Sequence, residues 1–218
     1  MRKNLDMAAM ALIVATLVMT VIVYLVSTDY FTLVYAREDG VVEYGTAIFL
    51  LVSSAILLWN AKGLASKGRG GAAALVVFYA LMFFLAAGEE VSWGQRIFGW
   101  ESTEFFMENN KQYETNFHNL MVGDFHLAKT LFGSVLTTVI LLYLVVLPLL
   151  YPKGGWVARM ADRFALPVPW LKHAAIALVA SVIIAVIDVN RKWEVYELIF
   201  SLLTVSIFLL PQNRDKAS

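Results

Sequence analysis

The residues of this sequence that could do chemistry are carboxylates and histidines near the ends of its apolar stretches. Glu89 and Glu90 follow one such stretch, His118 and His126 come later in a long polar segment, and Asp188 ends another apolar stretch. Imidazole and carboxylate together suit zinc, iron or manganese, whereas calcium and magnesium prefer sites made only of oxygen. The sequence therefore predicts a divalent transition-metal site with His118, His126, Glu90 and Asp188 as ligands.

The chemistry predicted for such a site is metal-assisted attack by an oxygen nucleophile. A bound metal would activate water or another oxygen ligand, with Glu89 or Glu90 accepting a proton as general base. Arg96 follows shortly after them and is predicted to hold an anionic head group of the substrate. The spacing of His118 and His126 matches no recognised ligand signature, so a lone hydrogen bond at each histidine is the alternative.

The same acids also fit a structural role. Glu89, Glu90 and Asp188 lie at predicted C-terminal helix ends, where the helix dipole disfavours negative charge, so they need cations. An ion-pair network with nearby lysines and arginines is therefore the alternative to a bound metal. Asp124 precedes a predicted helix, so its local explanation is an N-cap. Three further acids lie in predicted first turns, where the helix dipole favours them, and a site role is equally open for them: Glu43, Glu194 and Glu197.

The composition of the chain indicates that these acids belong to a membrane protein. Of 218 residues, 60% are hydrophobic and only 16% are charged, and the mean hydropathy is +0.69. A soluble domain of this length could not bury so much apolar surface, since soluble proteins carry about 25% charged residues. The net charge of zero gives no case for nucleic-acid binding by a basic domain. The lack of cysteine excludes disulfides, thiolate metal sites and cysteine nucleophiles.

Six apolar stretches have the length that a helix needs to cross a bilayer, about 20 residues. They lie at 7–26, 41–59, 72–88, 127–151, 171–188 and 193–210. We therefore expect an all-α, polytopic fold, a six-transmembrane-helix bundle forming a single transmembrane domain over 1–218. The long loop 89–126 joins helices 3 and 4. The first stretch is longer than the apolar part of a usual signal peptide and no clear cleavage site follows it, so we expect it to be retained.

The distribution of charge predicts the orientation of the bundle. Basic residues gather on the side that holds both termini, and the positive-inside rule places that side in the cytoplasm. Most of the acids fall on the opposite, outer side. The six tryptophans sit at predicted boundaries of the spans, as in an aromatic belt. The basic residues on the predicted inner side are Arg2, Lys3, Lys62, Lys67, Arg69, Lys153, Arg159, Arg163, Lys172, Arg214 and Lys216.

A two-part motif carries a resemblance to a known family. The motif reads GEEVSWGQRIFG at 88–99 and ETNFHN at 114–119. With the compatible hydropathy elsewhere, the chain resembles a family of uncharacterised prokaryotic integral membrane proteins. The resemblance implies a polytopic bacterial membrane protein and no particular activity. In architecture alone the chain is similar to the alkaline ceramidase-like membrane hydrolases, which gather histidines and an aspartate around zinc near one membrane face. It departs from them in lacking a third histidine on the acidic side and their helix motifs.

Three functions remain open at the level of the sequence. The favoured prediction is a metal-dependent enzyme, such as a membrane hydrolase, acting on a lipid or lipid-linked substrate at the outer face. A small ion- or proton-coupled transporter is the first alternative, although the spans hold almost no charge near the midplane. A non-catalytic membrane subunit or assembly factor is the second. The predicted partners are the lipid bilayer and a lipid substrate, with no nucleic acid.

Overall fold

The chain folds as an all-helical protein, as the sequence predicts. A computed structural model describes residues 1–117, 119–122, 125–126 and 135–218. Helices account for 78% of the structure. Two short extended pieces, β1 (Met121–Val122) and β2 (Phe125–His126), pair antiparallel within the segment that joins the third and fourth predicted spans.

Helices of very different lengths follow one another along the chain. The long or apolar ones are α1 (Arg2–Val26), α3 (Val41–Ser66), α4 (Gly70–Glu90), α10 (Leu171–Val186) and α11 (Lys192–Leu209). The fourth predicted span contains α7 (Leu136–Leu141), a π-helical segment (Leu142–Val146), α8 (Leu147–Leu150) and a 3-10 turn (Tyr151–Lys153). The short ones are α2 (Thr28–Tyr30, continued by a π-helical segment Phe31–Tyr35), α5 (Gln95–Phe98), α6 (Glu104–Asn109), α9 (Gly155–Arg163) and α12 (Arg214–Ala217).

Four helical stretches in the described part of the chain are long and apolar enough to cross a membrane. They are Arg2–Val26, Val41–Ser66, Gly70–Glu90 and Leu136–Lys153. Of the other two predicted spans, α10 is apolar but only 16 residues long, and α11 begins with three charged residues in its first two turns. A membrane protein is therefore supported, whereas the count of six spans stays a prediction. Residues 127–134 of the fourth predicted span lie outside the described residues.

The helix at the centre of the bundle is α11. It packs against α1, α3 and α10, and α3 packs in turn against α4. Every residue from Ser201 to Leu209 is buried. A helix that is buried all round needs apolar or small side chains on every face, which this half of α11 has. The charged residues of α11 are thus confined to its start.

The packing brings the start of α3, the end of α4 and the start of α11 to one end of the bundle. This end carries Glu43, Glu90, Glu194 and Glu197, and is called the acidic end below. The opposite end, called the basic end, holds the start of α1 and of α10. These helix starts are joined to the last turns of α11 through Ser206, whose hydroxyl donates a hydrogen bond to Asp6 and accepts one from His173.

Three local sequence patterns predict further structure. The run at 103–106 predicts the start of a short helix, which is α6, and the mixed apolar and charged residues at 156–165 predict a short amphipathic helix, which is α9. The basic stretch 60–71 predicts a flexible turn, and this prediction is wrong because α3 continues to Ser66. Tertiary contacts stabilise this continuation, since the buried side chain of Asn60 donates a hydrogen bond to the carbonyl of Phe208 at 2.8 Å and Ala61 and Leu64 are buried.

Candidate functional site at the acidic end

The first half of the motif ends α4 and forms a tight left-handed turn. Ser92, Trp93 and Gly94 have φ angles of 46°, 56° and 78°. This conformation costs a non-glycine residue roughly 1–3 kcal/mol, so surrounding contacts must hold it. A Cβ atom at Gly88 would lie 2.8 Å from the Trp93 ring. The absence of a side chain at Gly88 therefore lets the indole fold back onto the last turn of α4.

The carboxylate of Glu89 anchors this turn and the second half of the motif together. The indole Nε1 of Trp93 donates to Glu89 Oε1 at 3.0 Å, and the backbone N–H of Phe117 donates to Glu89 Oε2 at 2.6 Å. These donors compensate for the unfavourable end of the helix dipole at which Glu89 lies. The carboxylate of Glu89 is thus stabilised by two neutral hydrogen-bond donors, one on each oxygen.

A buried polar cluster joins the two halves of the motif. Ser92 Oγ donates to Glu114 Oε2 at 2.5 Å, and Asn116 Nδ2 lies 2.8 Å from Ser92 Oγ and 2.9 Å from Glu114 Oε2. Asn110 Nδ2 donates to Asn116 Oδ1 at 2.9 Å. All four residues are at most 7% exposed. Buried polar groups of this kind are tolerated only when they are paired, so the motif is a self-complementary hydrogen-bonded unit.

Arg96 is bound at the surface of this unit. Its guanidinium forms ion pairs with Asp39, in the loop before α3, and with Glu114. Partial burial opposes the positive charge, but the hydrogen bond to Asp39 and the charges of Glu114 and Asp39 outweigh it and raise the pKa of Arg96 above its usual value. The predicted role of Arg96 is to hold an anionic head group. In the structure the guanidinium joins the motif to the loop before α3, and its predicted role toward a head group stays a prediction.

A second chain of contacts connects the motif to α11. Gln112 Nε2 donates to Glu38 Oε1, and Arg191 donates to Glu38 Oε2 at 2.8 Å. Arg191 also lies 3.6 Å from Glu194, one turn further on. The position of α11 is therefore tied to the loop before α3 and to the motif.

Beneath these contacts lies the acid cluster, which we define as Glu43, Glu90, Glu194 and Glu197. The four residues come from the start of α3, the end of α4 and the start of α11, and α3 packs against both α4 and α11. Glu43 Oε2 accepts a hydrogen bond from the backbone of Asp39 at 2.6 Å. Within the described ranges, Arg191 is the only cationic side chain that forms an ion pair with a member of the cluster, Glu194.

The predicted metal ligands are only partly described by the structure. Glu90 belongs to the acid cluster, whereas Asp188 follows α10 and is exposed, with its backbone N–H 3.4 Å from the hydroxyl of Tyr24. His118 lies outside the described residues, and of His126 only its place in β2 is described. Among the described side chains, no three histidines and acids are grouped as a metal site requires. The ligand set therefore stays a prediction.

Three members of the acid cluster had only a weak signal in the sequence. Glu43, Glu194 and Glu197 each lie near the start of a helix, where a negative charge needs no further explanation. The useful signal is the spacing of Glu194 and Glu197, which places both on one face of α11. That α3 and α4 meet this face is a result of packing and has no local signature.

His173 is the clearest correction to the sequence-based interpretation. Its position beside Lys172 at the start of the fifth predicted span predicts an interfacial residue, but the structure buries it completely at the basic end. Its Nδ1 accepts from the backbone N–H of Trp170 at 3.0 Å, so Nε2 carries the proton and donates to Ser206 Oγ at 2.9 Å. Ser206 donates in turn to Asp6, which Lys172 neutralises at 2.7 Å. These contacts tie α1, α10 and α11 together.

Removing the hydroxyl of Ser206 tests this tie. Ser206→Ala leaves His173 and Asp6 buried without one hydrogen-bond partner each, and we expect it to lower the free energy of unfolding by about 2 kcal/mol. Equilibrium unfolding in mixed detergent micelles, followed by circular dichroism, measures the change. Ser66→Ala is the matched control, since exposed Ser66 bonds only within its own helix and should change little. Equal, small effects at both positions would show that the buried contacts do not stabilise the bundle.

Comparison of the chain with family models, with curated proteins and with solved structures finds no match.

Proposed function

We propose that this chain is a metal-dependent enzyme of the prokaryotic plasma membrane, with both termini in the cytoplasm. Its site lies at the acidic end and acts on a lipid or lipid-linked substrate at the outer face. The observation that supports the proposal is the acid cluster, in which glutamates from three packed helices lie at the same end of the bundle. The four apolar helices that could cross a membrane give the site its membrane setting.

A cluster of four glutamates needs positive charge close to it. Ionisable groups at the boundary of a bilayer are costly, and like charges in contact add to this cost. The ion pair of Glu194 with Arg191 neutralises only part of it. In helix bundles, glutamates that project inward from facing helices commonly hold divalent metals. A transition metal bound by the cluster and by the histidines of the adjoining segment would supply this positive charge.

The proposal assigns roles to the predicted residues. Glu90, His118, His126 and Asp188 would hold the metal. When bound, a metal of this class lowers the pKa of a coordinated water and makes it a nucleophile at neutral pH. Glu89 and Glu90 are the candidates for the general base. Whichever of the two does not bind the metal would accept the proton from the water.

Arg96 has a positioning role in this scheme. Its ion pairs with Asp39 and Glu114 hold the motif over the last turn of α4. The Glu89 carboxylate is held in the same place by Trp93 and the backbone of Phe117. Arg96 would therefore fix the site, and its partly exposed guanidinium would also hold the anionic head group of the substrate.

Element analysis of gently purified protein tests the proposal. Wild-type protein is expected to carry about one equivalent of zinc, iron or manganese, since structural and catalytic sites of this class bind one metal through three or four ligands. We expect Glu90→Gln and His126→Ala to lose most of it and to lose lipid-directed activity. Glu104→Gln, at an exposed position in the first turn of α6, is the control and should retain both.

Two results would refute the metal site. The first is wild-type protein without a transition metal after purification in the absence of chelators. The second is unchanged metal content in folded Glu90→Gln and His126→Ala proteins, with folding checked by size-exclusion chromatography and circular dichroism.

A further inference from the structure

The segment 92–117 buries several polar side chains and exposes most of its charged ones together with large apolar ones. The buried polar residues are Ser92, Asn110, Glu114 and Asn116, as described above. Large apolar side chains lie on its outside. Those that are at least one third exposed are Trp93, Ile97, Phe98, Trp100, Phe105, Met107, Tyr113 and Phe117. Soluble surfaces rarely expose so many large apolar groups together.

Four aromatic residues of this segment, three in ring contact with one another and the fourth joined to them through Glu89, make up what we call the aromatic rim. The rings of Phe105 and Phe106 meet edge to face at 5.4 Å, and those of Phe106 and Phe117 at 5.8 Å. Phe117 and the fourth member, Trp93, are bound to opposite oxygens of the same carboxylate, that of Glu89. The rim therefore runs from α6 to the end of α4.

The rim continues onto the exposed face of α4. Trp93 meets Phe84 edge to face, with 6.3 Å between the ring centroids. Phe84 and its neighbours Leu81 and Leu85 are exposed on a helix that is long and apolar enough to cross a membrane. That face of α4 contacts acyl chains if the helix spans the bilayer, so the rim extends a lipid-facing surface beyond the end of the helix.

We propose that the aromatic rim is embedded in the adjoining leaflet, with lipid acyl chains and the headgroup boundary as its occupant. Aromatic side chains favour this depth because their rings are apolar and their edges tolerate water. The acids of the same segment, Glu101, Glu104 and Glu108, are exposed and would face the headgroups and water. The segment thus lies in the interface, with its aromatic side chains among the acyl chains and its acidic side chains nearer the water.

The inference does not depend on the proposed enzymatic function. It concerns which environment covers the segment, whether or not a metal binds at the acid cluster. If both hold, the motif turn opens beside the lipid leaflet, and a lipid substrate can reach it from the side.

Site-directed spin labelling can test the proposal directly, because the chain has no native cysteine. Single-cysteine variants Phe105→Cys and Phe117→Cys report on the rim, Phe84→Cys is the lipid-facing reference, and Glu101→Cys and Glu108→Cys are the controls. Each labelled protein is placed in vesicles of phosphatidylethanolamine and phosphatidylglycerol. Power-saturation spectroscopy then compares collisions with oxygen, which partitions into lipid, and with a water-soluble nickel chelate.

We expect the ratio of oxygen to nickel accessibility at the rim positions to be several-fold above that of the controls and close to that of Phe84→Cys. A rim ratio equal to that of the controls would place the rim in water and overturn the proposal. Low accessibility to both reagents at the rim would mean that protein, such as a second copy of the chain, covers it, which also overturns the proposal.

A measurement on the unmodified chain covers the case in which a cysteine variant does not fold. Wild-type protein in vesicles that contain a lipid with a photoreactive acyl chain is irradiated, and the adducts are mapped by mass spectrometry. We expect adducts at the rim and on α4. Adducts on α4 without any in the segment 92–117 would contradict the proposal.

Discussion

Asn116→Ala is expected to lower the free energy of unfolding by about 3 kcal/mol. The side chain is 1% exposed and contacts Ser92, Glu114 and Asn110 through hydrogen bonds, and it also accepts one from the backbone of Asn119. Truncation leaves several of these partners buried and unpaired, and each such group costs about 1–3 kcal/mol. Thermal and detergent-induced unfolding, followed by circular dichroism, gives the change.

The control for this experiment is Asn109→Ala. Asn109 is the neighbouring half-exposed asparagine, and its side chain bonds only to the carbonyl of Phe105 in its own helix. We expect a change within about 0.5 kcal/mol, as for most surface substitutions. If the two variants are equally stable, the buried cluster is not what holds the two halves of the motif together.

The second large effect is expected at Gly88. In the interior of a helix, glycine to alanine normally stabilises by about 0.5–1 kcal/mol. Here the added Cβ would lie within 3 Å of three atoms of the Trp93 ring, so the indole must move. That movement loses the hydrogen bond to Glu89 and the contact with Phe84. We therefore expect Gly88→Ala to destabilise by about 2 kcal/mol, in the range of overpacked sites.

A double-mutant cycle separates this explanation from a general effect on the helix. In a Trp93→Ala background the clash is absent, so Gly88→Ala should cost far less than in the wild-type chain. Gly71→Ala, in the first turn of the same helix, has open space around the new Cβ and should be neutral or stabilising. An equal cost of Gly88→Ala in both backgrounds would contradict the proposed contact between Gly88 and Trp93.

The helices were largely predictable because their signal is local. Runs of apolar residues locate α1, α3, α4, α10 and α11 to within a few residues at most ends. The exceptions occur where polar residues are stabilised by distant partners. Asn60, for example, extends α3 because α11 provides its acceptor, and no pattern near residue 60 indicates this.

The candidate site was predictable in composition but not in its contacts. The sequence identifies Glu89, Glu90 and Arg96 as unusual, because charged groups at the end of an apolar stretch are costly. It does not show that Glu89 receives hydrogen bonds from Trp93 and Phe117, or that Arg96 is paired with Asp39. Each of these partners except Trp93 is far along the chain, and helical periodicity carries no information about them.

The sequence by itself determined that this protein is helical and apolar enough for a membrane, and that its acids gather at one end of its helices. These properties follow from the free energy of transferring side chains out of water, which each residue contributes independently of the fold. Only the tertiary structure decided which acids meet. The acid cluster exists because α11 packs against α3 while α3 packs against α4, and the motif closes over it because Gly88 leaves space for an indole. Such contacts depend on the shapes of surfaces that are distant in the chain, and helix packing alone brings them together.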